Sequence, residues 1–303
     1  MRFIVRALLI ASILWAAVMT QAPGSSWRLV SDIPYREVKG SSSKLTSLDL
    51  YVPQGGKAHP VVVFIHGGGW ARGDKSHTRS KPGFFTGEGC LYVTVNYRLS
   101  PAVKHPVHAE DVASALAWVY RHSASYGGDE KNIFVMGHSA GAHLAALVST
   151  DEKYLGAEGL SPSILKGTIL LDGAGYDIPR QMGTNTARRA YHMYAQAFGE
   201  DRKTLEDASP VNHVEKGKAM PSFLIFYVAS RSDSKKQSEA LAEKIKAAGG
   251  AAEAVPAINK THETINTELG VPGDKPTEAI TAFLKKLSGE GSASQGTAPV
   301  KSP

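Results

Sequence analysis

Residues 131–148 constrain this chain more tightly than any other stretch. Lys131-Asn132-Ile133-Phe134-Val135-Met136 is a short apolar run suited to a buried strand, and Ala140 to Val148 reads as a helix rich in small and apolar residues. Between them stands Gly137-His138-Ser139-Ala140-Gly141. A strand that passes into a helix through so short a link must turn sharply, which holds the central residue in a strained backbone conformation. The flanking glycines then have a mechanical reason: a Cβ two positions either side of Ser139 would collide with the neighbouring strand and helix. A lone G-x-S-x-G match is weak, and read blandly it is a glycine-rich turn with an incidental serine. Strand, elbow and helix together make Ser139 a candidate nucleophile for acyl transfer through an acyl-serine.

A second glycine-rich segment, His66-Gly67-Gly68-Gly69-Trp70, follows Pro60-Val61-Val62-Val63-Phe64-Ile65. The unbroken β-branched character of that run fits the interior of a parallel sheet. Glycines at its end let the main chain approach a ligand, so the N–H groups of Gly68 and Gly69, with that of Ala140, are expected to form an oxyanion hole. His66 is expected to tie down the loop rather than act as a base. Trp70 and His138 are candidate substrate contacts, Trp70 equally suiting a place packed beneath the loop.

The remaining catalytic groups follow by elimination, because a strand–elbow–helix nucleophile is followed along the chain by Asp or Glu and then His. Of the eleven histidines only His262 lies beyond the strand-like run Ser222 to Val228, in a polar loop after Ala254-Val255-Pro256-Ala257-Ile258. Between that run and His262 the only aspartate is Asp233, just before a predicted helix from Lys236 to Ala248. Ser139, Asp233 and His262 therefore form the expected triad: nucleophile, orienting acid and proton carrier. As a plain structural residue Asp233 would cap that helix. Glu239 and Glu263 are the fallback acids.

Ser47-Leu48-Asp49-Leu50-Tyr51-Val52-Pro53, the His-Gly-Gly-Gly-Trp segment, Val95-Asn96-Tyr97-Arg98-Leu99-Ser100-Pro101, the elbow and Ala208-Ser209-Pro210 occur in this order. In that arrangement the chain resembles α/β-hydrolases of the esterase/lipase kind over about residues 30 to 287. It is most similar to small carboxylesterases, feruloyl-esterase-like proteins and kynurenine formamidase-like hydrolases. The resemblance implies a carboxylic-ester hydrolase without a cofactor. Two departures stand out. Relatives commonly carry a His-Gly turn where this chain reads Tyr227-Val228-Ala229-Ser230-Arg231-Ser232-Asp233, and the elbow holds Gly-His-Ser rather than Gly-Asp-Ser. The second favours the feruloyl-esterase or formamidase side. An arylformamidase is the nearest alternative, since His66, Gly67, Gly68 and Trp70 satisfy its HGG-x-W pattern, and an esterase of feruloyl or acetylated-polysaccharide esters is a further one. A non-catalytic hydrolase-fold binding protein is the alternative outside enzymes, against which both nucleophile and base positions are filled.

With 303 residues, 42% of them apolar and 20% charged, the chain is large enough for one catalytic domain and too small for a second large one. Further strand-like runs at Cys90–Val95 and Gly167–Leu171 alternate with a helix around Ala109–His122. This predicts an α/β fold with a mostly parallel central sheet, helices on both faces and a small cap or none. Gly173 to Glu206 is the candidate for a short lid or substrate wall. A shallow site for short acyl groups follows.

Residues 1–22 read as a signal peptide, with Arg2 and Arg6 ahead of an apolar Ala7–Met19, or as an uncleaved N-terminal anchor. The domain is expected over 23–287 and a disordered tail over 288–303. A periplasmic or secreted location follows, with no stable membrane partner unless the segment is retained. Its removal lowers the formal charge from +6 to +4. Lacking a basic run, such a chain is not expected to bind nucleic acid. Its partner is a small-molecule ester. Cys90 is the single cysteine, so no intrachain disulfide forms, and no metal site is expected. His105 and His108 lack neighbouring ligands in sequence and are expected to be surface or structural residues.

Overall fold

The computed structural model describes residues 27–183 and 188–289, together with the backbone of residues 19–20. Most of residues 1–26, which include the expected signal peptide, and residues 290–303 of the expected disordered tail lie outside the described residues. Nine strands form one sheet: β1 (Met19–Thr20), β2 (Trp27–Pro34), β3 (Ser47–Pro53), β4 (His59–Ile65), β5 (Leu91–Val95), β6 (Gly128–His138), β7 (Leu165–Leu171), β8 (Ser222–Val228) and β9 (Ala252–Ala257). Their spatial order is β1-β2-β3-β5-β4-β6-β7-β8-β9. Pairings from β1 to β5 are antiparallel, and from β5 through β9 all are parallel. This is the predicted α/β-hydrolase fold.

The central strands are buried on both faces, which explains their unbroken apolar character. Val61, Val63, Ile65, Ile133 and Val135 point into one core, packed by the helices Val107–His122, Ala140–Thr150 and Ser232–Ala247. Val62, Phe64, Phe134 and Met136 point into the other, covered by Lys81–Gly87 and Lys275–Ser288. The period of two thus separates two apolar cores rather than core from solvent.

Register then determines what meets at the carboxyl edge. Ile65 lies opposite Gly137, His138 opposite Leu171, and Leu171 opposite Phe226. The chain emerging from β4, β6, β7 and β8 therefore leaves the sheet side by side, at the point where strand order reverses. The Val95–Pro101 segment is held there by Arg98, whose guanidinium makes two 2.7 Å bonds to buried Asp111. The oxyanion-hole segment is held by Tyr97, which donates to the His66 carbonyl at 3.1 Å and stacks on its ring.

Ser139 has φ 56° and ψ −118°, the strained elbow that the sequence implies. A Cβ on Gly137 would sit 2.2 Å from the Gly141 carbonyl oxygen, and one on Gly141 would sit 2.1 Å from that of Ile65. Neither obstacle is a side chain that can swing aside. Gly141→Ala is accordingly expected to destabilise the fold by about 3 kcal/mol, the upper range for overpacking. Denaturant titration measures this, and an unchanged midpoint would contradict the close approach of helix and strand.

Candidate active site

Ser139 stands between β6 and its helix, and His262 on the loop after β9 reaches it. His262 Nε2 is 3.0 Å from Ser139 Oγ, while Nδ1 is 2.6 Å from Asp172 Oδ2. The structure thus sets Asp172, not Asp233, against the imidazole. Asp172 directly follows β7, and its N–H bonds the Phe226 carbonyl at 2.8 Å, which fixes it to the sheet edge beside the elbow. Asp233 is exposed on the first turn of the helix Ser232–Ala247 and has no bond to His262; the residue capping that helix is Arg231. The chain turns over Ala229–Arg231 before the helix starts, so Arg231 reaches the site while Asp233 faces solvent. Glu239 bonds Tyr227 at 3.3 Å, and Glu263 lies on the cavity rim, so neither fallback acid engages the imidazole.

Asp172 is buried, accepting from the Val228 N–H at 2.9 Å and Ser234 Oγ at 2.5 Å, and paired with Arg231. Burial alone would raise its carboxyl. The bonds from His262, Ser234 and Val228, with the Arg231 charge, outweigh this and hold it well below the usual carboxylate range. It is therefore an anion throughout the neutral range.

Gly68, Gly69 and Ala140 border the cavity of about 400 Å³ that contains Ser139 and His262. Gly68 has φ 119°, and a Cβ there would lie 1.9 Å from the Arg72 carbonyl oxygen, so only glycine fits this turn. Ala140 opens its helix, where N–H groups lack intrahelical acceptors. Trp70 is almost wholly buried and packs on His143, Tyr194 and Phe198, so it supports the loop from beneath while also edging the cavity. Its indole N–H donates to His143 Nδ1 at 3.3 Å, and His143 Nε2–H donates to the Ala208 carbonyl at 2.8 Å. The Ala208-Ser209-Pro210 motif thereby anchors the oxyanion-hole loop. His138 donates through Nε2–H to the His262 carbonyl at 2.7 Å, which holds the base loop, and it also lines the cavity. His66, donating to the Gly67 carbonyl at 2.8 Å, is internal to its own loop.

The described residues of segment 173–206 form the other wall. Its helix Arg188–Phe198 brings Ala190, Met193 and Tyr194 to the cavity, and Met193 Sδ lies so near Gly69 that a Cβ there would approach it to 2.6 Å. Of the histidines expected to be surface or structural, His105 bonds Asp207 at 2.8 Å and His108 bonds Ser100 at 3.0 Å; both side chains are largely shielded. Asp151, Asp207 and His213 come close enough together to hold an ion, a grouping that sequence spacing does not reveal, but Lys153 already pairs with both carboxylates.

Strand order, elbow and the Ser139–His262–Asp172 array define an α/β-hydrolase of the esterase/lipase class. Within it, the chain belongs to the BD-FAE family, whose model matches residues 48–245. It is 27% identical over 288 residues to the esterase LipQ of Mycobacterium tuberculosis, covering 90% of this chain and 66% of LipQ, so it spans just under two thirds of that relative. It is 31% identical over 227 residues to a kynurenine formamidase of Meyerozyma guilliermondii, covering 69% of this chain and 80% of the formamidase. Among solved structures, it is similar to a thermophilic esterase, Est2, of Thermogutta terrifontis, with 25% identity, a TM-score of 0.64 and coverage of 91% and 96% of the two chains. Esterase B of Lactobacillus rhamnosis, with an inhibitor bound, shares the fold at TM-score 0.72 and 20% identity, with coverage of 89% and 90%.

Burial pulls five imidazoles down: His66 and His108 to about 4, His138 and His143 to about 3, and His105 below its ordinary value. It also pulls the Lys81 ammonium down to about 7. An unfolded imidazole titrates near 6.5 and an unfolded lysine near 10.4, so the unfolded state binds more protons in both windows. Stability should therefore fall as pH drops from about 6.5 to 4, and rise between about pH 7 and 10. Thermal midpoints at pH 5, 7 and 9 check this. A midpoint that does not rise across that series would contradict the neutral burial of these groups.

Proposed function

We propose that the chain is a serine carboxylesterase acting on short-chain or aromatic carboxylic esters. The observation that carries this reading is the single imidazole bonded on one side to Ser139 and on the other to a buried carboxylate. In the first half-reaction Ser139 Oγ attacks the ester carbonyl as its proton passes to His262 Nε2. The Asp172 carboxylate holds Nδ1–H and stabilises the imidazolium. The N–H groups of Gly68, Gly69 and Ala140 receive the oxyanion, each such donor being worth about 3 kcal/mol in related chemistry. His262 returns the proton to the departing alkoxide. Water then repeats the sequence on the acyl-serine, releasing acid and restoring the hydroxyl.

The cavity of about 400 Å³ walled by Ala190 and Met193 suits short or flat acyl groups. The formamidase relative keeps arylformamidase activity as a second reading, because the same array cleaves a formyl amide. The basic and apolar opening of the sequence supports export to the periplasm or beyond as the place of action.

Wild type and Ser139→Ala are to be compared on p-nitrophenyl acetate through decanoate, methyl ferulate and N-formylkynurenine. Turnover of short esters that vanishes in the variant is expected; preference for the formyl amide would select the second reading, and turnover surviving in Ser139→Ala would refute both. Asp172→Asn should lower kcat by about 10³ to 10⁴, since it presents the imidazole in the wrong tautomer. Asp233→Asn should retain kcat within about threefold, as expected of an exposed residue outside the site. Reversal of these two results would return Asp233 to the triad.

A further inference from the structure

The cavity holding the nucleophile shares Gly68, Gly69, Arg72, Ala190 and Met193 with a second space of about 570 Å³. Among the described residues its lining includes Arg72, Arg189, His192 and Gln196, and no carboxylate. Among the described residues, neither Arg72 nor Arg189 has an ion-pair or side-chain hydrogen-bond partner; Arg231, by contrast, is spent on Asp172. Two guanidiniums lining one concavity without a counter-charge create a positive potential that a bound anion relieves.

Arg72 and Arg189 are both exposed, so their guanidiniums are free to turn toward an anion entering this space. Planar guanidiniums match the two oxygens of a carboxylate.

We propose that Arg72 and Arg189 form an anion subsite that selects esters carrying a carboxylate away from the scissile bond. This rests on the esterase reading for its consequence in turnover, but not for the binding itself. The two sides of the scissile bond are distinguished by two pairs of probes. Monophenyl adipate against phenyl hexanoate places the charge on the acyl side. On the leaving-group side, 3-acetoxybenzoate is set against 3-acetoxybenzamide.

The readout is the ratio of kcat/KM for charged over neutral member, in wild type and in Arg72→Gln/Arg189→Gln. In one pair wild type should prefer the charged ester by about tenfold or more, with the preference shrinking at high salt and collapsing in the double variant. A wild-type ratio at or below unity in both pairs, or a preference that the double variant keeps, would overturn the subsite. Should no ester be turned over, the esterase reading fails separately, and calorimetry with adipate and 3-hydroxybenzoate decides. Binding of either anion that weakens at least about tenfold in the double variant supports the subsite, and equal or absent binding refutes it.

Discussion

Gly141 brings the first turn of the elbow helix against the carbonyl end of β4, and the geometry of the site depends on that contact. Because the helix can sit so low, Ser139 stays at the sheet edge between the loop after β4 and the residue after β7, instead of being lifted from it. The parallel register does the rest: Ile65 against Gly137 and His138 against Leu171 deliver glycine loop, nucleophile and acid to one edge without any long side chain bridging a gap. Parallel strands buried on both faces resist slippage, since a shift by one residue would exchange the two apolar cores.

Around this edge the chain invests in buried polar contacts that tie the site's loops to one another. Trp70, His143 and the Ala208 carbonyl form a line of donors and acceptors joining the oxyanion loop, the elbow helix and the turn before Pro210. Tyr97 and His138 hold the carbonyls of His66 and His262 in the same manner. Each bond contributes only about 1 kcal/mol net, whereas losing one partner strands a buried polar group at a cost of about 1–3 kcal/mol. The contacts therefore act on placement as much as on stability, and the neutral state of the imidazoles follows from the burial that placement demands.

The elbow was legible because its signal is local: glycine, serine and glycine at fixed spacing between a strand and a helix. The glycine loop after β4 was legible for the same reason, and His262 by exhaustion of the other histidines. Asp172 was not found, although part of the sign that marked Ser139 was present, an apolar strand ending directly in a polar functional residue. Choosing between Asp172 and Asp233 requires knowing which strand end lies beside the elbow, a property of sheet order rather than of sequence spacing. Arg231 illustrates the same limit. In sequence it is one of several surface cations, and only the fold brings it to the acid. His143 and Ala208 are 65 residues apart, and their bond leaves no periodic trace.

The central claim is that one serine is activated by one imidazole oriented by Asp172. It is tested most directly by reacting the protein with a fluorophosphonate and mapping the adduct by mass spectrometry. The account predicts a single equivalent on Ser139, formed at a rate that falls steeply in His262→Ala and Asp172→Asn and holds in Asp233→Asn. Labelling at another serine, or a rate indifferent to Asp172, would contradict it.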